Sequence, residues 1–146
     1  MVDVTVACVI RRPRAEVAAY ASDPRTAPEW YQNIIGATSR TASELAVGSE
    51  IDFTAKFVGR ILNYTYRVEE YVPGKRLVMA TAEGPFPMRT TYEWFDTGGG
   101  TLMTLRNEGG PKGIAALADP LMGLMVRRTT AGELRRLRAI LESRDS

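Results

Sequence analysis

The sequence predicts an α+β fold in which a curved antiparallel β-sheet wraps around one long C-terminal α-helix, with two short helices after the first strand. From residue 34 to residue 107, apolar and polar residues alternate with a period of two, which is typical of strands with one buried face. Near the C-terminus, leucines recur at spacings of three, four and seven residues, which indicates an amphipathic helix. Because only one long helix is available to cover the apolar sheet face, the two are expected to pack together.

The length and composition favour one soluble globular domain that covers residues 1–146. Hydrophobic residues make up 45% and charged residues 25% of the chain, and a chain of this size buries roughly 68% of its unfolded surface. Cys8 is the single cysteine, so no internal disulfide is expected, which fits a cytoplasmic location. We expect no signal peptide, and no apolar stretch approaches the ~20 residues of a membrane span.

Several chemistries are excluded by what the sequence lacks. The chain has no histidine, so Ser-His-Asp and Cys-His nucleophilic machinery is excluded, and neither a metal nor another cofactor is expected. No glycine-rich phosphate-binding motif is present, and the run of glycines at 98–100 is interpreted as a hairpin turn rather than a phosphate cradle. The net charge of +2 gives no electrostatic case for nucleic-acid binding.

The N-terminal third predicts a strand followed by two short helices with a break between them. The first strand spans residues 2–10, and the alanine-rich stretch 15–21 then predicts a short helix. Asp23 is a good N-cap residue and Pro24 a good first helical residue for another helical turn. This break directs Trp30 and Tyr31 back toward the space that the helices cover, where Trp30 either packs structurally or contacts a ligand.

The middle of the chain predicts a meander of antiparallel strands joined by turns at Gly59-Arg60, at "VPGK" and at "DTGGG". One parity of each strand is mainly apolar and is predicted to face inward. The predicted inward residues are Ile51, Phe53, Ala55, Phe57, Leu62, Tyr64, Tyr66, Val68, Met88, Thr90, Tyr92, Trp94, Thr101, Met103 and Leu105.

The C-terminal helix is predicted to begin at the Asp119-Pro120 pair and to run for roughly two dozen residues. Its predicted apolar positions are Leu121, Leu124, Met125, Leu134, Leu137 and Leu141. Many arginines occupy its other positions and form either a solvated face or a site for an anionic partner. One helix need not fill the space inside a curved sheet, so we expect an apolar cavity of the size that binds small molecules, lined on the helix side by Leu117, Leu121, Leu124 and Met125.

Four stretches together resemble the START/Bet v1-like helix-grip superfamily, also called SRPBCC, and within it the polyketide cyclase/dehydrase-like group. The opening strand, proline-started helix and tryptophan appear as "VIRRPRAEVAAYASDPRTAPEWY", and a strand preceded by glycine appears as "VGSEIDF". The hairpin "YRVEEYVPGKRLV" and the closing "GGGTLMTLRNE", followed by a helix ending "LRRLRAILES", complete the pattern. The resemblance covers nearly the whole chain and implies a helix-grip fold with a ligand-holding cavity.

The resemblance implies that a hydrophobic small molecule binds inside the grip, although the same aromatic and methionine side chains could simply form a core. Buried tyrosine hydroxyls need partners, so the tyrosines either satisfy one another or orient a ligand carbonyl. The candidate ligand-binding residues are Trp30, Tyr31, Phe53, Phe57, Tyr64, Tyr66, Met88, Tyr92, Met103 and Leu121.

Whether the chain is an enzyme is left open by its sequence. In a cyclase-like reaction a tyrosine would polarise a carbonyl while a base takes an α-proton, and the resemblance gives Tyr64, Tyr66, Tyr92 and Arg106 as candidates. However, Arg106 is predicted to point outward, and no inward carboxylate is predicted, so no base is identified.

Two alternatives are a non-catalytic carrier or sensor of a lipid or metabolite, and a protein-interaction module. The interaction module would use the arginine-rich helix face or outward apolar residues such as Val58 and Phe95. A homodimer is compatible with the sequence.

Overall fold

Seven strands and three α-helices form the part of the chain that the computed structural model describes, which comprises residues 2–40, 44–57, 59–84, 87–109 and 120–144. The strands are β1 (Val2–Ile10), β2 (Ile34–Ser39), β3 (Glu50–Phe57), β4 (Arg60–Val72), β5 (Arg76–Glu83), β6 (Met88–Thr97) and β7 (Gly100–Gly109). The helices are α1 (Arg14–Ser22), a 3₁₀ turn (Pro24–Thr26), α2 (Ala27–Trp30) and α3 (Pro120–Glu142).

The strands form one curled antiparallel sheet in the order β1-β7-β6-β5-β4-β3-β2. The six strands that follow α2 make a simple meander, and β1 closes the sheet by pairing with β7. The predicted alternation is confirmed, because the inward parity is buried on β1 and along the meander while the outward parity is largely exposed. We call the buried side the concave face.

The break between the short helices is capped as predicted. The Asp23 carboxylate accepts a hydrogen bond from the backbone N–H of Arg25 at 2.9 Å, and Pro24 begins the 3₁₀ turn, where its missing N–H is not needed. Helix α2 then ends at Trp30, whose side chain is buried in the core. The burial of Trp30 is compatible with both of its predicted roles, structural packing and contact with a ligand.

Helix α3 lies along β1, and its C-terminal half supplies the buried leucines Leu134, Leu137 and Leu141. The guanidinium of Arg127 donates to the carbonyl of Thr5 at 3.0 Å near one end of this contact. At the other end, the carboxylate of Glu142 accepts from the backbone N–H of Arg11 at 2.9 Å, which fixes the direction of the helix along the strand.

The prediction that Leu124 and Met125 line the interior is wrong. Their side chains are 43% and 61% exposed. At 3.6 residues per turn, Met125 lies half a turn away from Leu134, on the opposite side of the same helix. The predicted N-cap Asp119, the predicted lining residue Leu117 and the outward residue Val58 lie outside the described residues, as do the side chains of Phe57 and Leu121.

Candidate functional site

Two groups of aromatic rings occupy the concave face. In the first, Tyr92 of β6 lies between the two buried tryptophans, with ring centroids 5.9 Å from Trp30 and 5.9 Å from Trp94. Tyr31, directly after α2, packs on Trp30 at 4.1 Å. The second group joins β3 to β4, and its ring-centroid separations are 5.4 Å for Phe53–Tyr64, 5.6 Å for Phe53–Tyr66 and 5.2 Å for Tyr64–Tyr66.

The hydroxyls of Tyr31 and Tyr92 hydrogen-bond to each other, and we call these two residues the tyrosine pair. The pair has two hydroxyl hydrogens, and the mutual bond uses one of them. The second hydrogen has no acceptor among the residues that the structure describes. Because the partners are 61 positions apart in the chain, the pair joins the end of α2 to the middle of the sheet.

A second polar chain runs from the sheet to α3. The Thr90 hydroxyl donates to the side-chain oxygen of Asn107 at 3.0 Å, and the Asn107 amide donates to the hydroxyl of Thr130 at 3.3 Å. Since the Thr90 hydrogen is used, Tyr66 must donate in its 3.0 Å hydrogen bond with Thr90. The Tyr66 oxygen can therefore act toward a ligand only as an acceptor.

The tyrosines are neutral hydrogen-bonding groups over the ordinary pH range. Burial raises the pKa of Tyr66 to about 12. Burial is also the main cause that raises the pKa of Tyr31, Tyr64 and Tyr92 well above its usual range. The interior thus offers neutral hydroxyls in an apolar setting, which is suited to orienting a ligand carbonyl or hydroxyl.

One carboxyl group, Glu133 of α3, also lies in the interior. Its side chain is 7% exposed, and its Oε2 accepts from the backbone N–H of Gln32 at 3.0 Å. Burial raises the pKa of Glu133 to about 7, opposed by the hydrogen bond from Gln32. The Glu133 charge contributes to the raised pKa of Tyr31, Tyr64 and Tyr92, so it is close to tyrosines from three separate parts of the chain.

Glu133 corrects the expectation that no carboxylate faces inward. The sequence carried a signal for it, because Glu133 precedes the buried Leu137 by four residues and follows the buried Thr130 by three. These are the spacings of one helix face. A search for apolar periodicity does not identify this position, because the Glu133 side chain is charged.

Two buried donors have no hydrogen-bond partner among the described residues. They are the indole Nε1 atoms of Trp30 and Trp94. Buried polar groups are almost always paired, so each unpaired donor requires an explanation. Both indoles belong to the ring group that contains Tyr92.

The structure brings most of the predicted ligand-binding residues together on the concave face. Trp30, Phe53, Tyr66, Tyr92 and Met103 are buried there. Tyr31, Tyr64 and Met88 are half-buried and pack against the same core.

The predicted outward direction of the two arginines is confirmed. Arg106 forms an ion pair with Asp3 at 2.7 Å, and Arg89 forms one with Glu69 at 2.8 Å. Both guanidinium groups are engaged on the outer side of the sheet, so Arg106 is not in the interior with the tyrosines. The outward apolar residue Phe95 is 46% exposed, as its parity predicts.

Two open cavities lie away from the tyrosine pair. One of about 360 Å³ is lined by Phe53, Tyr64 and polar residues of β3, β4 and β5. The other, of about 390 Å³, is lined by residues 11–14 with Asp96 and the adjoining glycines. Neither includes Tyr31, Tyr92 or Glu133 in its lining.

Within the described ranges, no group of three acidic or cysteine side chains is arranged to hold a metal ion. Among the same residues, no helix combines the length and the apolar character that crossing a membrane requires.

Comparison with solved structures identifies the fold. A START superfamily protein from Mycobacterium smegmatis superposes with a TM-score of 0.78 at 14% identity, covering 96% of this chain and 97% of that one. A protein from Thermus thermophilus gives 0.78 at 16% identity, with coverages of 97% and 99%. The di-domain ARO/CYC StfQ from the steffimycin biosynthetic pathway gives 0.71 at 14% identity, covering 94% of this chain and 49% of that one. At these identities the similarities establish the helix-grip fold alone.

Comparison of the sequence with curated proteins gives no match. A family model described as polyketide cyclase/dehydrase and lipid transport, by contrast, matches residues 1–142. This match and the START-like fold confirm the resemblance inferred from the four sequence stretches. The chain is therefore a member of the polyketide cyclase/dehydrase and lipid transport family.

Proposed function

We propose that this protein binds a hydrophobic small molecule on the concave face of the sheet, between the sheet and α3. The observation that carries the proposal is the set of neutral donors within an otherwise apolar interior. Among the described residues, one hydroxyl hydrogen of the tyrosine pair has no acceptor, and the buried indole donors of Trp30 and Trp94 have no partner. A ligand with one or two acceptor oxygens would satisfy such donors.

Partial exposure of three side chains supports a route into this interior. Tyr31, Tyr64 and Met88 pack against the core and yet remain accessible to water, whereas Tyr92 and the two tryptophans beside it are buried. An apolar molecule that entered past these three side chains would cover aromatic surface that water otherwise contacts. Burial of that surface contributes roughly 25 cal/mol per Å² to binding.

Saturable binding of a neutral apolar fluorophore tests the proposal. N-phenyl-1-naphthylamine is expected to bind with a stoichiometry of one and to become more fluorescent in the apolar interior. Met88→Trp should weaken binding at least tenfold, because the larger side chain occupies the proposed route.

Phe95→Trp is the matched control, because Phe95 lies on the same strand and is 46% exposed on the outer side. It should bind the fluorophore as the wild type does. Equal binding by both variants would refute the location, and no binding by the wild type would refute the function.

A cyclase-like activity is the second candidate, and Glu133 is the observation that favours it. The free hydrogen of the tyrosine pair would polarise a ligand carbonyl, and the Glu133 carboxylate would take the proton from the adjacent carbon. The enolate carbon then attacks a second carbonyl of the same chain, the Glu133 carboxylic acid returns its proton to the new alkoxide, and loss of water completes an aldol condensation. Turnover of a linear poly-β-ketone mimic by the wild type, absent in Glu133→Gln, is the expected result.

The carrier function requires only binding. It would be favoured over the cyclase function if a ligand that the purified protein retains is recovered chemically unchanged. Cytoplasmic location and a homodimer remain predictions from the sequence.

A further inference from the structure

The Glu133 carboxylate has one oxygen engaged and one oxygen without a partner among the described residues. Oε2 accepts from the backbone N–H of Gln32 at 3.0 Å, and no described residue hydrogen-bonds to Oε1. The side chain is more than nine-tenths buried. The enclosed atoms without a partner in the described chain are the two indole nitrogens and do not include Oε1, so this oxygen lies where a further donor can reach it.

The surroundings of Glu133 contain neutral groups rather than a countercharge. The groups whose pKa is raised by the charge of Glu133 are Tyr31 from the segment after α2, Tyr64 from β4 and Tyr92 from β6. Tyr66 of β4 uses its own hydrogen on Thr90. No arginine or lysine contributes to the environment that sets the pKa of Glu133. The carboxylate is therefore not half of an ion pair in the described residues.

We propose that Glu133 is the specificity-determining residue of the interior and that it accepts a hydrogen bond from a hydroxyl of the ligand. The ligand class is an aromatic or enolic alcohol, with a phenol-like hydroxyl on Glu133 and a carbonyl oxygen on the tyrosine pair. A hydroxyl supplies one donor, which matches the one free carboxylate oxygen. An ammonium group carries a charge and three donors, so its transfer into this largely apolar interior costs more than that of a neutral hydroxyl.

This inference rests on the proposed function, because it requires a ligand in the interior. It extends that function by naming which polar group the ligand must carry. It applies to the carrier function directly, whereas in the cyclase function the same carboxylate oxygen would have to exchange the hydroxyl for the proton on carbon.

Two probes that differ in a single hydrogen-bond donor test the inference. The affinities of 2-naphthol and 2-methoxynaphthalene for the full-length protein are measured by calorimetry at about pH 8, where Glu133 is mostly ionised. A charge-assisted hydrogen bond should make 2-naphthol bind about tenfold or more tightly. In Glu133→Gln the amide oxygen can still accept from Gln32 while its NH₂ faces the ligand, so the preference for 2-naphthol should be lost.

Glu142→Gln is the matched control, because Glu142 also lies on α3 and also accepts a backbone N–H, but is exposed. It should keep the wild-type preference. Equal affinities of the two probes for the wild type would overturn the role of Glu133 and leave the binding function intact. Failure of both probes and of naphthalene to bind would overturn the proposed function itself. Tighter binding of 2-naphthylmethylamine than of 2-naphthol would overturn the assignment of a hydroxyl.

A measurement on the wild type alone covers the case in which Glu133→Gln does not fold. The preference for 2-naphthol should increase as the pH rises from about 5.5 to about 8, because Glu133 becomes ionised and a stronger acceptor. The facing tyrosines stay neutral over this range, because burial raises the pKa of each of them. A preference that does not change with pH would contradict the proposal.

Discussion

Replacement of Glu133 by glutamine should change how the stability of the protein depends on pH. Burial raises the pKa of Glu133 from 4.5 to about 7 in the folded protein. Because one pKa unit corresponds to 1.36 kcal/mol, the ionised side chain costs the folded state about 3 kcal/mol. Glutamine has a similar size, can accept the same hydrogen bond from Gln32 and does not titrate.

The sign of the effect follows from which state binds the proton more tightly. The folded state holds the proton of Glu133 to higher pH than the unfolded state does. The wild type therefore loses stability, relative to Glu133→Gln, as the pH rises from about 4.5 to about 7, and the loss is complete above this range. Between about pH 4.5 and about pH 8, the free energy of unfolding of the variant should rise by about 3 kcal/mol relative to that of the wild type.

Urea unfolding at a series of pH values measures this difference, with the fluorescence of the buried Trp30 and Trp94 as the signal. Subtracting the wild type at each pH cancels the other titrating groups. Glu142→Gln is the control for a carboxyl-to-amide change on the same helix, because Glu142 also accepts a backbone N–H but is exposed. A difference between Glu133→Gln and the wild type that is constant across the series would refute the reasoning.

Three further substitutions, one of them with a matched control, test the packing of the fold. Leu137→Ala should lower the free energy of unfolding by about 2–5 kcal/mol in urea, since Leu137 is fully buried between α3 and the sheet; a loss below about 1 kcal/mol would contradict that packing. Gly100→Ala should lower the free energy of unfolding by about 2–4 kcal/mol, because the added Cβ would lie 2.2 Å from a carbonyl oxygen at the end of β1. Gly99→Ala is its control and should have little effect on the melting temperature, because the space around the added Cβ is open. Tyr92→Phe leaves the hydroxyl of Tyr31 without its partner and should lower the free energy of unfolding by about 1–3 kcal/mol, measured by thermal unfolding. An unchanged melting temperature would contradict the hydrogen bond within the tyrosine pair.

Local patterns in the sequence were sufficient to predict the elements and their buried faces. Alternation along a strand depends only on neighbouring residues, so the inward parity of β4 and β6 could be read directly. The Asp23-Pro24 signature likewise depends on a single turn of backbone and is found as predicted. The outward direction of Arg106 followed from parity, although its partner Asp3 could be identified only once β1 was seen to pair with β7.

The parts that could not be predicted depend on which face of α3 meets the sheet and on long-range pairing. Leu124 and Met125 fit an apolar periodicity, but the packed face is fixed by the buried leucines farther along, and Met125 lies opposite to it. Glu133 was missed because a charged residue is normally assigned to the solvent side. The hydrogen bond of the tyrosine pair joins residues from distant segments, and no local pattern encodes such a partner.

Native mass spectrometry of the freshly purified protein, followed by organic extraction, tests the central claim most directly. We expect one discrete additional mass per chain that survives gentle desolvation, and an extracted molecule that is largely apolar and carries a hydroxyl. A protein that appears only at its bare mass, and that also fails to bind N-phenyl-1-naphthylamine in solution, would contradict the claim that the concave face holds a ligand.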